Sequence, residues 1–119
     1  MNTRTNKLNS EFKRLIAEIL TKKVKDPRIT ELFTVLDVDT DKELSTAKVY
    51  VSVYSTDTDK ATQTFLAIKE NEPFVRREIS RTMHIRKVPE FNFILDTSMA
   101  YGQKISEMLN EISKKDDND

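Results

Sequence analysis

The sequence of 119 residues has no cysteine, no tryptophan, one glycine and one histidine. Without cysteine, disulfides and thiolate metal sites are excluded, which agrees with a reducing compartment such as the cytosol. A glycine-rich phosphate loop, a nucleophile elbow and a multi-histidine metal site each need residues that the chain lacks. We therefore expect no enzymatic activity, no metal and no cofactor.

Long apolar runs are also missing. No stretch approaches the roughly 20 apolar residues of a membrane-spanning helix, and the N-terminal residues MNTRTNKLNSEFKRL lack the apolar core of a secretory signal. With 37% hydrophobic and 34% charged residues, the composition is that of a globular, water-soluble chain. We expect one cytoplasmic domain with no membrane partner and no small-molecule substrate.

The formal net charge is zero, but the charge is unevenly distributed. Residues 1–30 hold eight Lys or Arg against three Asp or Glu, and residues 73–95 hold five against two. Residues 31–72 and 96–119 are acidic, with four basic residues against nine acidic and three against six. Such a chain can present one basic surface to an anionic partner despite its balanced total.

Apolar spacing predicts the order helix, strand, strand, helix, helix, strand, helix. The helices are expected at Thr3–Lys25, Asp57–Glu70, from Pro73 onward and after Asp96, and the strands at Phe33–Thr40, Ala47–Tyr54 and Phe91–Leu95. We expect a single α+β domain over residues 1–113, with a three-stranded sheet covered by helices and a polar tail at residues 114–119. The first and last helices should pack through Leu15, Ile19, Ile105 and Leu109.

The segment from Phe74 to Val88 carries most of the basic residues of its region, with Glu78 as its one acid. On a continuous helix Arg77, Arg81 and His84 would lie within about 60° of one another. Like charges at this spacing repel, and a solvated face normally mixes signs, so an anionic partner is favoured. The candidate contacts are Arg76, Arg77, Arg81, His84, Arg86 and Lys87.

Two weaker patterns have ordinary explanations. Ser80 precedes His84 by four residues, which permits a small hydrolase, but no orienting acid or oxyanion site is evident. Asp37, Asp39 and Asp41 have the spacing that begins a calcium-binding loop, but the glycine and the final acid of such a loop are missing. A strand running into a turn accounts better for these aspartates.

Motifs along nearly the whole chain together resemble the ribosome-binding factor A family. They are Lys25-Asp26-Pro27-Arg28 after the first helix, the strand AKVYVSV from Ala47, the helix FVRREI from Phe74, the passage IRKVPEFNF from Ile85, and the element from Asp96 through Gly102 to Ile105. Each motif is short, and their order and intervals make the resemblance specific.

The resemblance implies a type II KH-like fold in the order αββααβα. It implies binding to the 30S ribosomal subunit through 16S rRNA near the decoding-side neck, and we expect the chain to be a monomer. The implied role is late 30S maturation, 16S rRNA processing and growth in the cold, and an assembly GTPase is a further candidate partner. The alternative from a different class is a protein-interaction module whose basic helix binds an acidic partner without touching RNA.

This chain departs from the family at the break between its second and third helices. The family has an Ala-x-Gly kink there, whereas this chain has Asn71-Glu72-Pro73. Proline can still separate the helices, but we expect Glu72 to repel phosphate at that point. The RNA contacts are therefore expected on the arginines of the third helix and on the loop after it.

Overall fold

The computed structural model describes the backbone of residues 3–96 and the side chains of residues 6–96. The helices are α1 (Thr3–Glu18, followed by a π-helical turn at Ile19–Lys23), α2 (Thr58–Glu70) and α3 (Glu72–Thr82), and the strands are β1 (Leu32–Thr40), β2 (Thr46–Tyr54) and β3 (Glu90–Leu95). The mixed α+β class and its order up to the third strand are confirmed. The expected last helix with Ile105 and Leu109, the domain limit at residue 113 and the tail lie outside the described residues.

The sheet has the order β1-β2-β3, with β1 antiparallel and β3 parallel to the central strand β2. Val49 pairs with Val38 on one side and Phe93 on the other, and the register between β1 and β2 shifts between Val35 and Asp37. Because β2 and β3 are parallel, α2 and α3 form the crossover between them. This arrangement agrees with the KH-like fold.

The core lies on one face of the sheet. Val49, Val51 and Val53 alternate along β2 and are buried, as the period of two in a strand requires. The described helices contribute to the same core cluster, and Phe12 of α1 meets Phe91 of β3 edge to face with ring centroids 5.3 Å apart. Among residues 3–96, no helix has the length and apolar content needed to cross a membrane.

The loop between α1 and β1 is tied to the break between α2 and α3. The Asp26 carboxylate accepts hydrogen bonds from the Arg28 backbone N–H at 3.0 Å and its Nη2 at 2.8 Å, and from Asn71 Nδ2 at 3.0 Å. Arg28 Nη1 also reaches Glu70 Oε1 at 2.7 Å. Asp26 and Arg28 of the motif Lys25-Asp26-Pro27-Arg28 therefore hold the break between α2 and α3 in place. This contact gives the motif a structural role.

The same loop has a second attachment through the buried side chain of Thr64. Its Oγ1 accepts from the backbone N–H groups of Thr30 and Glu31, both at 3.3 Å, and donates to the Arg28 carbonyl at 3.4 Å. Because a buried hydroxyl cannot bond to solvent, it needs partners within the protein, and these backbone groups supply them. The loop is thus held both at the middle of α2 and at its C-terminal end.

The break between the helices occurs as expected, with α2 ending at Glu70 and Pro73 in the first turn of α3. The expectation for Glu72 is wrong. Its carboxylate is buried, accepts from the Phe91 backbone N–H at 2.9 Å and lies 3.3 Å from Arg76 Nη2. Phe91 is on an edge strand with this N–H directed away from β2, so Glu72 satisfies an otherwise unpaired donor. It is not presented to an external phosphate.

Candidate nucleic-acid interface

The three arginines of α3 differ in how far acids neutralise them. Arg76 is half-buried and paired with Glu72, whereas Arg81 is exposed and its Nη1 lies 3.0 Å from Glu78 Oε2. Glu78 also accepts from Lys23 Nζ at 3.1 Å. Arg77 is exposed and makes no ion pair with any other side chain among residues 6–96. It is the arginine of this helix that is most available to an anion.

His84 does not share a helical face with Arg77 and Arg81, contrary to the expectation. The helix ends at Thr82, and Met83 follows with φ −99° and ψ 70°. The Thr82 hydroxyl donates to the Glu78 carbonyl at 2.9 Å, a bond that competes with continued helical pairing. His84 therefore lies in the loop that leads to β3, where it is exposed. The separation of Ser80 from His84 by this helix end also removes the helical spacing on which the hydrolase interpretation depended.

The loop after α3 lines a groove with two distant parts of the chain. Arg86 and Lys87 lie beside Lys7 of α1, and the groove has a volume of about 640 Å³. Its remaining lining residues are Leu8, Glu11, Leu44, Met83 and Ile85. We call this the Lys7–Arg86 groove. It combines half-buried aliphatic side chains with a cationic rim.

The wall of the groove at the β1–β2 turn is held by Asp41. Its carboxylate accepts from the Ser45 backbone N–H at 2.7 Å and from the Thr46 N–H at 3.2 Å and hydroxyl at 3.1 Å. These hydrogen bonds, the Ser45 bond first, hold the pKa of Asp41 below its ordinary value. A strand running into a turn is thus the correct interpretation of the aspartate spacing.

Leu44, within this turn, has a φ of 58°, the one positive value outside glycine among the described residues. For an L-amino acid with a branched side chain this left-handed region costs roughly 1–2 kcal/mol. The Leu44 N–H donates to the Asp41 carbonyl at 3.1 Å, so the surrounding hydrogen bonds impose the conformation. The turn therefore places an aliphatic side chain at the groove in a strained backbone position.

The rim of the groove keeps most of its positive charge. Neither Lys7 nor Arg86 forms an ion pair within the described side chains, and Lys87 Nζ makes one long bond of 3.5 Å to the Glu43 carbonyl. The single acid of the groove, Glu11, is bound by Arg14 Nε at 2.8 Å, and this hydrogen bond lowers the pKa of Glu11. An incoming anion would thus meet Lys7 and Arg86, which have no ion pair among the described side chains.

Of the eight groove residues, only Arg86 and Lys87 were predicted from the sequence. Lys7 and Leu44 were among those missed, because their neighbours in space are far away along the chain. Lys7 precedes Arg86 by 79 residues, and the two segments come together through the packing of α1 on the sheet and on α3, as in the contacts Phe12–Phe91 and Lys23–Glu78. Leu44 left a signal, since it is the only aliphatic residue in the turn segment DTDKELS. A large apolar residue in a polar turn indicates packing or binding.

Three or more His, Asp or Glu side chains do not come together in a metal-binding arrangement anywhere in the described part of the chain.

The Lys7–Arg86 groove and the exposed arginines of α3 offer cations and apolar surface. The fold and these features define a KH-like α+β domain with a basic end suited to an anionic polymer.

Comparison with known proteins identifies the family. The family model of ribosome-binding factor A matches residues 4–109, and this chain belongs to that family. A ribosome-binding factor A from Caldanaerobacter subterraneus subsp. tengcongensis is 39% identical over 119 residues, covering 100% of this chain and 97% of that protein.

Solved structures agree with this assignment. The crystal structure of ribosome-binding factor A from Thermus thermophilus superposes with a TM-score of 0.65 at 25% identity, covering 76% of this chain and 93% of that one. A homology model of the Thermus thermophilus factor, fitted into the cryo-EM map of a 30S–RbfA complex, gives a TM-score of 0.61 at 25% identity, with the same coverage of 76% and 93%.

Proposed function

We propose that this protein binds the small ribosomal subunit through its 16S rRNA and assists a late step of the subunit's maturation. The proposal includes 16S rRNA processing and growth in the cold, and an assembly GTPase as a further partner. It describes a monomeric, cytoplasmic protein that acts without catalysis or cofactor. Membership of the ribosome-binding factor A family supports it, as does the likeness to a Thermus thermophilus factor fitted into a 30S complex.

The main support for RNA contact is that acidic side chains neutralise only some of the cations on α3 and the loop after it. Glu72 and Glu78 bind Arg76 and Arg81, while Arg77 and Arg86 keep no acidic partner among the described side chains. A polyanion gains from contacts of this kind by releasing counterions, and arginine can bind two phosphate oxygens at once. The expected contacts remain Arg76, Arg77, Arg81, His84, Arg86 and Lys87, with Arg77 and Arg86 the most available.

Sedimentation with purified small subunits at several salt concentrations tests the proposal. Changing both Arg77 and Arg81 to glutamine should weaken binding and reduce the slope of log affinity against log salt by about 1.5. Stability should change by less than about 0.5 kcal/mol, because the Arg81–Glu78 pair is exposed on the arginine side. The matched control changes Arg14 and Lys22, and should affect binding less because Arg14 is already paired with Glu11 and Glu18.

Comparing a protein-free RNA ligand with intact subunits distinguishes RNA binding from the protein-interaction alternative. A protein-free fragment of 16S rRNA should bind with the same dependence on Arg77 and Arg81 as intact subunits. If the fragment does not bind while intact subunits do, a ribosomal protein is the partner and the RNA proposal fails. Unchanged affinity and salt slope for the double variant would remove α3 as the interface.

A further inference from the structure

The composition of the Lys7–Arg86 groove exceeds what a phosphate backbone requires. Cationic side chains are sufficient to bind a phosphate backbone, because they release its counterions. Apolar side chains are not needed for that contact. This groove adds an aliphatic floor from three segments of the chain, formed by Leu8, Leu44, Met83 and Ile85. Unstacked bases of single-stranded RNA need such a surface beside cations for the flanking phosphates.

The size and charge of the groove fit a nucleotide. Its volume of about 640 Å³ is in the range of sites that bind small ligands. Lys7 and Arg86 carry no ion pair within the described side chains, and the Glu11 carboxylate on the same wall is engaged by Arg14. The guanidinium plane of Arg86 offers a further surface on which a base can stack.

The strained backbone of Leu44 points to function at the same place. Glycine or asparagine at a φ of 58° would relieve the strain, yet a leucine is held there by the hydrogen bonds of Asp41. Strained residues that persist in this way concentrate at binding sites. Glycine or asparagine would remove the strain, but neither would place an aliphatic side chain at the groove as Leu44 does.

We propose that the Lys7–Arg86 groove binds one unpaired nucleotide of a single-stranded RNA segment. The base lies against Leu44, Met83 and Ile85, and the flanking phosphates contact the three cations of the rim. The inference rests on the proposed function, because it specifies which RNA element the basic end recognises. The groove is at the C-terminal end of α3, whose 11 residues separate it by about 16 Å from the helix break.

Fluorescence anisotropy with a labelled single-stranded oligouridylate of about ten nucleotides, and with a duplex of equal length, tests this inference. The double variant Lys7→Gln and Arg86→Gln should bind the single strand more weakly, with a salt slope lower by about 1.4. The matched control, Lys22→Gln and Lys69→Gln, removes two exposed charges elsewhere. Lys22 lies in the π-helical turn after α1, at the opposite end of that helix from Lys7. The slope of the control should change by less than half as much.

Leu44→Gly separates binding from stability. The melting temperature should hold or rise because the backbone strain is removed, whereas affinity for the single strand should fall about fivefold. Leu44→Asn serves the same purpose if the glycine variant folds poorly, since asparagine tolerates this region of φ.

The inference is overturned if these variants bind the single strand as the wild type and control do, or if the duplex binds as tightly as the single strand. Equal displacement by a glutamate peptide would also overturn it, because the groove would then be an anion surface only. Sedimentation with small subunits is measured in parallel. If the wild type sediments with subunits while the groove variants behave as the control does, the groove inference alone fails. If the wild type does not sediment with subunits, the proposed function fails.

Discussion

Replacing Glu72 by alanine should destabilise the fold by about 1–4 kcal/mol. The Phe91 N–H, buried on the edge of the sheet, would lose its acceptor, and an unsatisfied buried donor costs about 1–3 kcal/mol. The lost pair with Arg76, whose side chain is 39% exposed, adds at most about 1 kcal/mol. For a domain of this size the melting temperature should fall by on the order of 10 °C.

Two further variants divide this loss between its causes. Glu72→Gln keeps an oxygen that can accept from Phe91 and removes the charge, so it should cost about 1 kcal/mol through the ion pair and the helix dipole. Arg76→Ala removes the ion pair alone and should cost less than about 1 kcal/mol.

Urea unfolding measures these free energies, and amide hydrogen exchange reports the Phe91 N–H directly. Exchange at Phe91 should accelerate in Glu72→Ala and remain slow in Glu72→Gln. The reasoning is refuted if the alanine variant unfolds within about 0.5 kcal/mol of the wild type, or if glutamine costs as much as alanine.

Three other predictions concern the loop between α1 and β1 and the core. The hydrogen bonds from Arg28, and then from Asn71, hold the pKa of Asp26 far below its ordinary value, so this carboxylate stabilises the fold above its unfolded pKa of about 4 and the contribution is lost in acid. The urea midpoint should thus fall more steeply between about pH 5 and pH 2 in the wild type than in Asp26→Asn, and parallel curves would contradict this. Thr64→Val should cost about 1–3 kcal/mol by leaving the Thr30 and Glu31 N–H groups unpaired, whereas Thr64→Ser should cost less. Ile19→Ala should cost about 2–5 kcal/mol because Ile19 is buried, and a loss below about 1 kcal/mol would show that its apolar stripe is not core.

The local sequence pattern was sufficient to predict most boundaries of the helices and strands. The expected strand Ala47–Tyr54 begins one residue earlier at Thr46, and the helix expected from Asp57 begins at Thr58 with Asp57 as its cap. Both follow from short-range chemistry, namely the alternation of valines in β2 and the Asp57 side chain that accepts from the Lys60 N–H. Such signals need no knowledge of distant partners.

The errors in the candidate site have the opposite origin. Glu72 was expected to repel phosphate, because its partner, the Phe91 N–H, is 19 residues away, belongs to a different element and leaves no local signal in the sequence. His84 was placed with Arg77 and Arg81 because the segment was taken as one continuous helix, although the helix stops at Thr82. Lys7 was overlooked because its neighbours at the groove lie beyond both strand pairings.

The contacts of α3 explain how an electrically neutral chain can present a basic end. Glu72 is committed to β3 and Arg76, and Glu78 is shared between Lys23 and Arg81. These acids also connect α3 to the π-helical end of α1 and to the edge of the sheet. Because both acids of α3 are used within the fold, the charge left for a partner on Arg77 is positive. The sequence departure at Asn71-Glu72-Pro73 thus makes the helix break an internal anchor through Glu72, and the RNA contacts that we propose fall on the arginines of α3 and on the Lys7–Arg86 groove.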